Sequence, residues 1–543
     1  MKKLLLIFIF PAAVSALFPA EQEINKRQDC SMQQFKSARI KIEAIRDISV
    51  INTYYNIMYF EKEITDLLNK AADTGTKNFI PVNNMEIQKF ENYIQSRVAK
   101  IINIPDAYIV FNPFSWKSTL FPQLRGCVNC LKKKKYYEMD INTGNDKEAD
   151  VQFVAGGVIF KSEFEPYQYK IFKTALNPDY NDTAISTAVA QAPETGMQIK
   201  RKDGNFVFDN GKVRFIINKY GDILSCSDSA GKIKIKPGFK AILISSTNLP
   251  VEFDQNEVRL SESGMYQAKL QLVNRSKLYP MFELSREISL SSGSYMLENK
   301  ITILRFTNNN IGGLKISFVM SRDTVTVDGG IFCKTGNYGI VTGNAADYEI
   351  FNTGKKSKKI NYNINLCVLD NNAVNEFRYG IMLKNFGSND NETVQLWKLS
   401  RQLIYDLNVS PGEYPAAMMN PQQRIMMPAF PMNNGMNLIS RDTATVTNPE
   451  LFPFSNPFLK LSEGNNVVIT GLVKADNNRL KVLLLNMNEN INTAVTLKTL
   501  FKIQEPVTFS NTGAFNYKLA DSNTLDFSLP GKGSYEIEFG LTP

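Results

Sequence analysis

Cys127-Val128-Asn129-Cys130 places two thiols three residues apart, a spacing that serves zinc ligation, disulfide formation or dithiol redox chemistry. Zinc would need two further ligands, and a redox role of the thioredoxin kind would need a βαβ setting. Neither accompanies the motif, so it reads as a structural disulfide or a pair of inert thiols. Cys30, Cys226, Cys333 and Cys367 bring the cysteines to six. An even number suits disulfides in an oxidising compartment, although six cysteines allow fifteen pairings. Histidine is absent from all 543 residues. That excludes a Ser-His-Asp triad, a Cys-His pair, a His-ligated metal and a His general base. Any catalysis would fall to carboxylates, Lys, Tyr, Cys or the backbone. The chain is rich in Asn, Lys and Ile, a bias that disfavours histidine only mildly.

The net charge is +9, and much of the excess sits in Lys132-Lys133-Lys134-Lys135 and Lys355-Lys356-Ser357-Lys358-Lys359. These runs read as solvated loops, with a patch for acidic glycans or anionic lipid as the sharper reading. No nucleic-acid-binding motif accompanies them, so no nucleic-acid partner is expected. Residues 1–16 have the form of a signal peptide: Lys2-Lys3, an apolar run from Leu4 to Phe10, and the small-residue site Val14-Ser15-Ala16. Residues 17–29 read as a propeptide or linker containing the dibasic pair Lys26-Arg27. No later apolar run of about twenty residues appears, so no transmembrane segment is expected. The expected location is extracellular or a secretory-pathway lumen, including a lysosome- or vacuole-like one. Asn-x-Ser/Thr sequons at Asn181, Asn274, Asn391 and Asn408 suit that route as N-glycosylation sites.

The elements that would position these groups change character along the chain. Phe35, Ala38, Ile42, Ile45 and Ile48 recur at spacings of three and four, and Ile51, Tyr55 and Met58 extend the stripe. Ile87, Phe90, Ile94, Val98 and Ile101 repeat it after the break at Asp73-Thr74-Gly75-Thr76. Residues 30–105 are therefore expected to form a small helical bundle. Beyond it the period becomes two, as in Val213, Phe215 and Ile217 between the turn signals Asn210-Gly211 and Tyr220-Gly221-Asp222. Tyr535, Ile537 and Phe539 alternate likewise. The expected architecture is mainly β: a small β domain over 106–199, a large sandwich over 200–440 and a C-terminal sandwich over 441–543. Residues 411–436, rich in Pro and Met, read as an irregular connector. No P-loop, Rossmann glycine pattern or βαβ rhythm is present.

Within this frame, Val110-Phe111-Asn112-Pro113-Phe114-Ser115-Trp116 resembles the "V-x-N-P-L-x-W" strand that follows the helical domain of glycoside hydrolase family 38 α-mannosidases. The segments Phe160 to Tyr169, Asn205 to Leu224, Gly329 to Thr335 and Gln395-Leu396-Trp397-Lys398-Leu399-Ser400-Arg401 follow in the family's order, the last where the family has a strand ending in "H-R-R". The resemblance implies a middle helical domain and successive sandwiches, the largest a galactose-mutarotase-like supersandwich. Trp116 is then expected in the core, although it and exposed tyrosines could stack on sugar faces.

The departures bear on chemistry. Family members carry an N-terminal α/β domain with the "H-x-D" zinc motif and an aspartate nucleophile, for which this sequence has no counterpart before the helical segment. Their helical domain adds a zinc ligand from "H-H-D-A-x-T-G-T". Here the matching stretch begins Asn69, Lys70, Ala71, and the loop Asp73, Thr74, Gly75, Thr76 retains only T-G-T. Lys70 stands where the ligand histidine belongs, and an ammonium has no lone pair for a metal. Retaining hydrolysis needs a nucleophilic carboxylate and an acid/base carboxylate, so no catalytic residue and no zinc cofactor are expected.

The expected function is a secreted, non-catalytic relative of α-mannosidases that binds mannose-containing glycans or protein. The alternative is an α-mannosidase, serving mannose metabolism or glycan trimming, that acts only with a separately encoded catalytic chain. Asp73 and Arg401 would be its remnants, and otherwise they are a turn residue and a surface strand residue. A third reading is an unrelated β-sandwich adhesin. Lys70→His is expected to leave the chain without hydrolysis of an aryl α-mannoside in added zinc, and release of the aryl group by that variant would contradict the reading.

Overall fold

The computed structural model describes residues 39–55, 61–72, 107–178, 197–305, 311–383, 392–405, 410–411 and 456–542, apart from short intervals within them, together with 87, 94 and 180. The expected signal and linker segments, Cys30, Cys367, Asp73 to Thr76, Asn181, Asn391, Asn408, Lys355 to Lys358 and most of the Pro- and Met-rich connector lie outside the described residues.

The chain is mainly antiparallel β. Residues 39–53 and Glu61–Ala72 are helical. In the first helix the apolar stripe at spacings of three and four turns inward, with Ile42, Ile45, Ile48 and Ile51 all buried. Ile87 and Ile94 are buried in the same core.

The strands that follow form a small β unit. Its main sheet places Ala107–Phe111 beside Tyr169–Leu176, which in turn pairs with Lys134–Met139. The large sandwich comprises an eight-stranded sheet from Gln255–Glu262 to Thr324–Val327 and two five-stranded sheets. One of these is the meander from Gln198–Lys202 to Lys234–Ile235, where the expected Asn205 to Leu224 hairpin falls. Two four-stranded sheets close the chain, and the last strand, Gly533–Thr542, buries Tyr535, Ile537 and Phe539 on one face as the alternation requires.

Buried charge is built into the large sandwich. Arg286, 1% exposed, donates to Asp222 Oδ1 at 3.0 Å and to the Ala241 carbonyl at 3.3 Å. The turn that carries Asp222 is open to it only because position 221 lacks a side chain. Gly221 has φ +91°, and a Cβ there would stand 2.7 Å from Arg286 Cδ.

One continuous apolar core joins the first helix, the small β unit and the C-terminal sandwich. Ile42, Ile45 and Ile51 share it with Ile109, Ile171, Phe458, Leu472 and Phe539. Tyr54 packs at a tilt against Phe458 and Phe501 at ring distances of 5.5 and 6.1 Å. Within it Asp47 is buried and accepts hydrogen bonds from the Leu472 N–H at 2.8 Å and the Tyr167 hydroxyl at 3.2 Å. Tyr169 donates likewise to Asn52 Oδ1 at 2.7 Å.

Burial raises the Asp47 carboxyl to about 7, against the opposing pull of Arg46 3.5 Å away. The folded chain therefore holds a proton that the unfolded chain releases near pH 4, and the contribution of Asp47 to stability falls as pH rises from about 4 to about 7. Asp47→Asn keeps an acceptor for Leu472 and removes the titration. Its denaturation midpoint is expected to rise relative to the wild-type midpoint as pH increases across that window, and parallel pH profiles would contradict this role for Asp47.

Candidate functional site

The turn after Ala107–Phe111 is organised by a buried amide. Asn112 donates through Nδ2 to the Glu165 carbonyl at 2.8 Å and the Trp116 carbonyl at 3.2 Å, while its Oδ1 accepts the Phe114 N–H at 3.1 Å. The backbone N–H of Tyr167 returns to the Phe114 carbonyl at 3.0 Å. Ser115 Oγ donates to the Ile469 carbonyl at 3.0 Å, which fastens the turn to the C-terminal sandwich. These bonds set Trp116 at the junction of three units.

Trp116 is half-buried rather than a core residue. Its ring stacks on Phe114 at 4.8 Å and meets Trp397 edge-on at 5.6 Å. Its indole N–H is buried without a hydrogen-bond partner among the described residues. Trp397 lies on a helix, Glu392–Ile404, and not on the expected strand. The local pattern explains the difference. Val394, Trp397 and Arg401 recur at three and four, as do Leu396, Ser400 and Leu403, which gives a helix one face toward the C-terminal sandwich and another toward the large sandwich. Arg401 is accordingly a helix residue, with its guanidinium 4.3 Å from the Trp397 ring centroid. Lys398 Nζ stands 5.7 Å from the Trp116 ring. Two cations over two indoles form a cation–π cluster in which Trp397 is buried and the half-buried Trp116 is the ring that reaches the surface. Beside it Lys117 bridges Glu163 and Glu165 at 3.1 and 3.7 Å, and the bond from Glu163 raises the Lys117 pKa.

The other expected positions fall elsewhere. Asn69 is exposed on Glu61–Ala72, the helix that also carries Lys70 and Ala71. The donor set at these three positions does not fit zinc, since alanine has no donor atom and an ammonium no lone pair. Asn274 is fully buried and donates to the Tyr220 carbonyl at 2.9 Å, so its amide is closed to glycosylation in the folded chain. Cys226 is buried within the large sandwich core, and Cys127 and Cys130 are exposed; none of the three is disulfide-bonded among the described residues. Trp397, Lys398 and the positioning role of Asn112 escaped the sequence reading. The helical spacing of Trp397 and Arg401 was the available signal.

Stacked sandwiches behind a helical segment define the class of fold, and solved structures share it. No family model matches the sequence, and no curated relative does. The chain is similar to an α-mannosidase from Enterococcus faecalis, with 12% identity over 95% of this chain and 68% of that one, at a TM-score of 0.56. It is similar also to a glycosyl hydrolase family 38 protein from Enterococcus faecalis, with 12% identity over 94% of this chain and 71% of that one, at a TM-score of 0.58. At this identity the shared property is the fold.

Asn112→Ala removes the donor to the Glu165 carbonyl, one of two donors to the Trp116 carbonyl and the acceptor of the buried Phe114 N–H, and a buried polar group left without its partner costs about 1–3 kcal/mol. The variant is expected to lose about 2–4 kcal/mol of unfolding free energy in a denaturant titration and to show altered tryptophan emission in the folded state. Unchanged stability would contradict the positioning role.

Proposed function

We propose that the chain is a non-catalytic, α-mannosidase-like protein that binds mannose-containing glycans through Trp116, Lys398 and Arg401. The observation that carries this reading is the half-buried Trp116 ring, held against a second indole and flanked by two cations at the meeting point of three units. An indole face offers C–H contacts to a pyranose ring, and lysine and guanidinium groups donate to its hydroxyls. The likeness to α-mannosidases supports mannose as the sugar. The residues at 69–71 support the absence of hydrolysis, because they cannot hold the zinc ion that would grip mannose hydroxyls and stabilise charge. No zinc or other cofactor is therefore proposed, and the proposed setting is the secretory lumen or the cell exterior. Among the described residues no helix is long and apolar enough to cross a membrane.

A glycan array probed with the purified chain tests the reading. Binding to mannose-containing glycans is expected, with Trp116→Ala and Lys398→Ala each weakening it about tenfold, the scale of one lost stacking or charged contact of about 1.4 kcal/mol. Absence of binding to every mannose-containing glycan would remove the proposal. Turnover of an aryl α-mannoside by the chain alone would overturn its non-catalytic part.

A further inference from the structure

The C-x-x-C pair is not used by the glycan reading, and its geometry differs from what the sequence suggested. Cys127 and Cys130 are both exposed, and their side chains hydrogen-bond to each other. The short helix Val128–Lys132 that spaces them is fixed at both ends. The Leu131 N–H donates to the Cys127 carbonyl at 2.9 Å, and the Leu131 side chain is buried with Leu124, Val158 and Phe160. The Tyr136 hydroxyl donates to the Leu131 carbonyl at 2.9 Å, and Gly126 is tied to Gly156 by a 3.0 Å backbone bond. Two thiols three residues apart are thus presented, open to reagents, on a surface segment braced by these contacts. Cys226, by contrast, is buried, and burial pushes its thiol up to about 12.

We propose that Cys127 and Cys130 form a thiol–disulfide exchange centre that reacts with anionic low-molecular-weight disulfides. Cys127 is the attacking sulfur and Cys130 the resolving one. The hydrogen bond from Cys130 holds the Cys127 thiol below its usual range, with help from the backbone and from Lys133, and the same contact raises Cys130. Cys127 as thiolate attacks one sulfur of RS–SR. The S–S bond breaks, a mixed disulfide forms on Cys127, and one RS⁻ leaves and takes up a proton. Cys130 then loses its proton and attacks the Cys127 sulfur, closing the intrachain disulfide and expelling the second RS⁻. Two protein thiols are oxidised as one RS–SR is reduced to two RSH. The preference for an anionic reagent comes from Arg125 and Lys133, both exposed, and the half-buried Lys132 beside the pair.

The test uses the full chain, reduced and then equilibrated in mixtures of glutathione and glutathione disulfide, quenched with an alkylating agent and mapped by peptide mass. The expected result is joint loss of the Cys127 and Cys130 thiols as one internal disulfide, while C130S stops at a glutathionyl adduct on Cys127. In the reduced chain, Cys127 is expected to alkylate faster than Cys130 near pH 7. Cystamine, a cationic disulfide, is expected to react more slowly than glutathione disulfide at low salt, with the difference shrinking at about 1 M salt. Both thiols remaining alkylatable at every ratio would overturn the exchange centre, as would C130S gaining no adduct on Cys127. Cystamine reacting as fast as glutathione disulfide at low salt would overturn the anionic preference. The wild-type measurements need no substituted chain, so they stand even if a variant folds poorly.

Discussion

A single buried carboxyl group ties together segments that the sequence keeps far apart. Asp47 on the first helix accepts from Tyr167, 120 residues away, and from the Leu472 backbone, 425 residues away. An isolated buried carboxylate is costly, so its two donors and the adjacent Arg46 specify one arrangement of the helix, the small β unit and the C-terminal sandwich. The apolar contacts around it supply area without direction. The polar contacts, including Tyr169 to Asn52, set the register in which that area is buried.

That register positions the tryptophan cluster. The small β unit contributes the Asn112 turn and Trp116, Glu392–Ile404 contributes Trp397, Lys398 and Arg401, and the C-terminal sandwich supplies Val468 and Met487 beneath Trp397. Ser115 to Ile469 repeats at the turn what Asp47 to Leu472 does at the helix. Both bonds run to the strand Val467–Lys474, so one strand braces the core and the site together.

The parts of the fold written as local periodicity were legible in the sequence. The isoleucine stripe of residues 42–51 and the alternation at 213–217 and 535–539 appear as buried faces of a helix and strands. The parts that depend on distant partners were not. Nothing near Asp47 reveals a carboxyl buried under Leu472, and the Asn112 amide is satisfied by a carbonyl 53 residues away. The Asn274 sequon is a three-residue pattern, silent about which face of Gln267–Arg275 the asparagine occupies. At Glu392–Ile404 the reverse happened. A distant resemblance suggested a strand, while the spacing of Val394, Trp397 and Arg401 already specified a helix.

The chain contains two tryptophans, and both belong to the cluster. Intrinsic tryptophan emission therefore reports on the proposed contact surface without a label or a substitution. Titration with a mannose oligosaccharide, followed by that emission, is the most direct measurement. A saturable change whose midpoint matches the affinity found by calorimetry is the result expected if the sugar stacks at Trp116. Calorimetric binding with no change in emission would place the glycan elsewhere on the molecule and contradict the assignment.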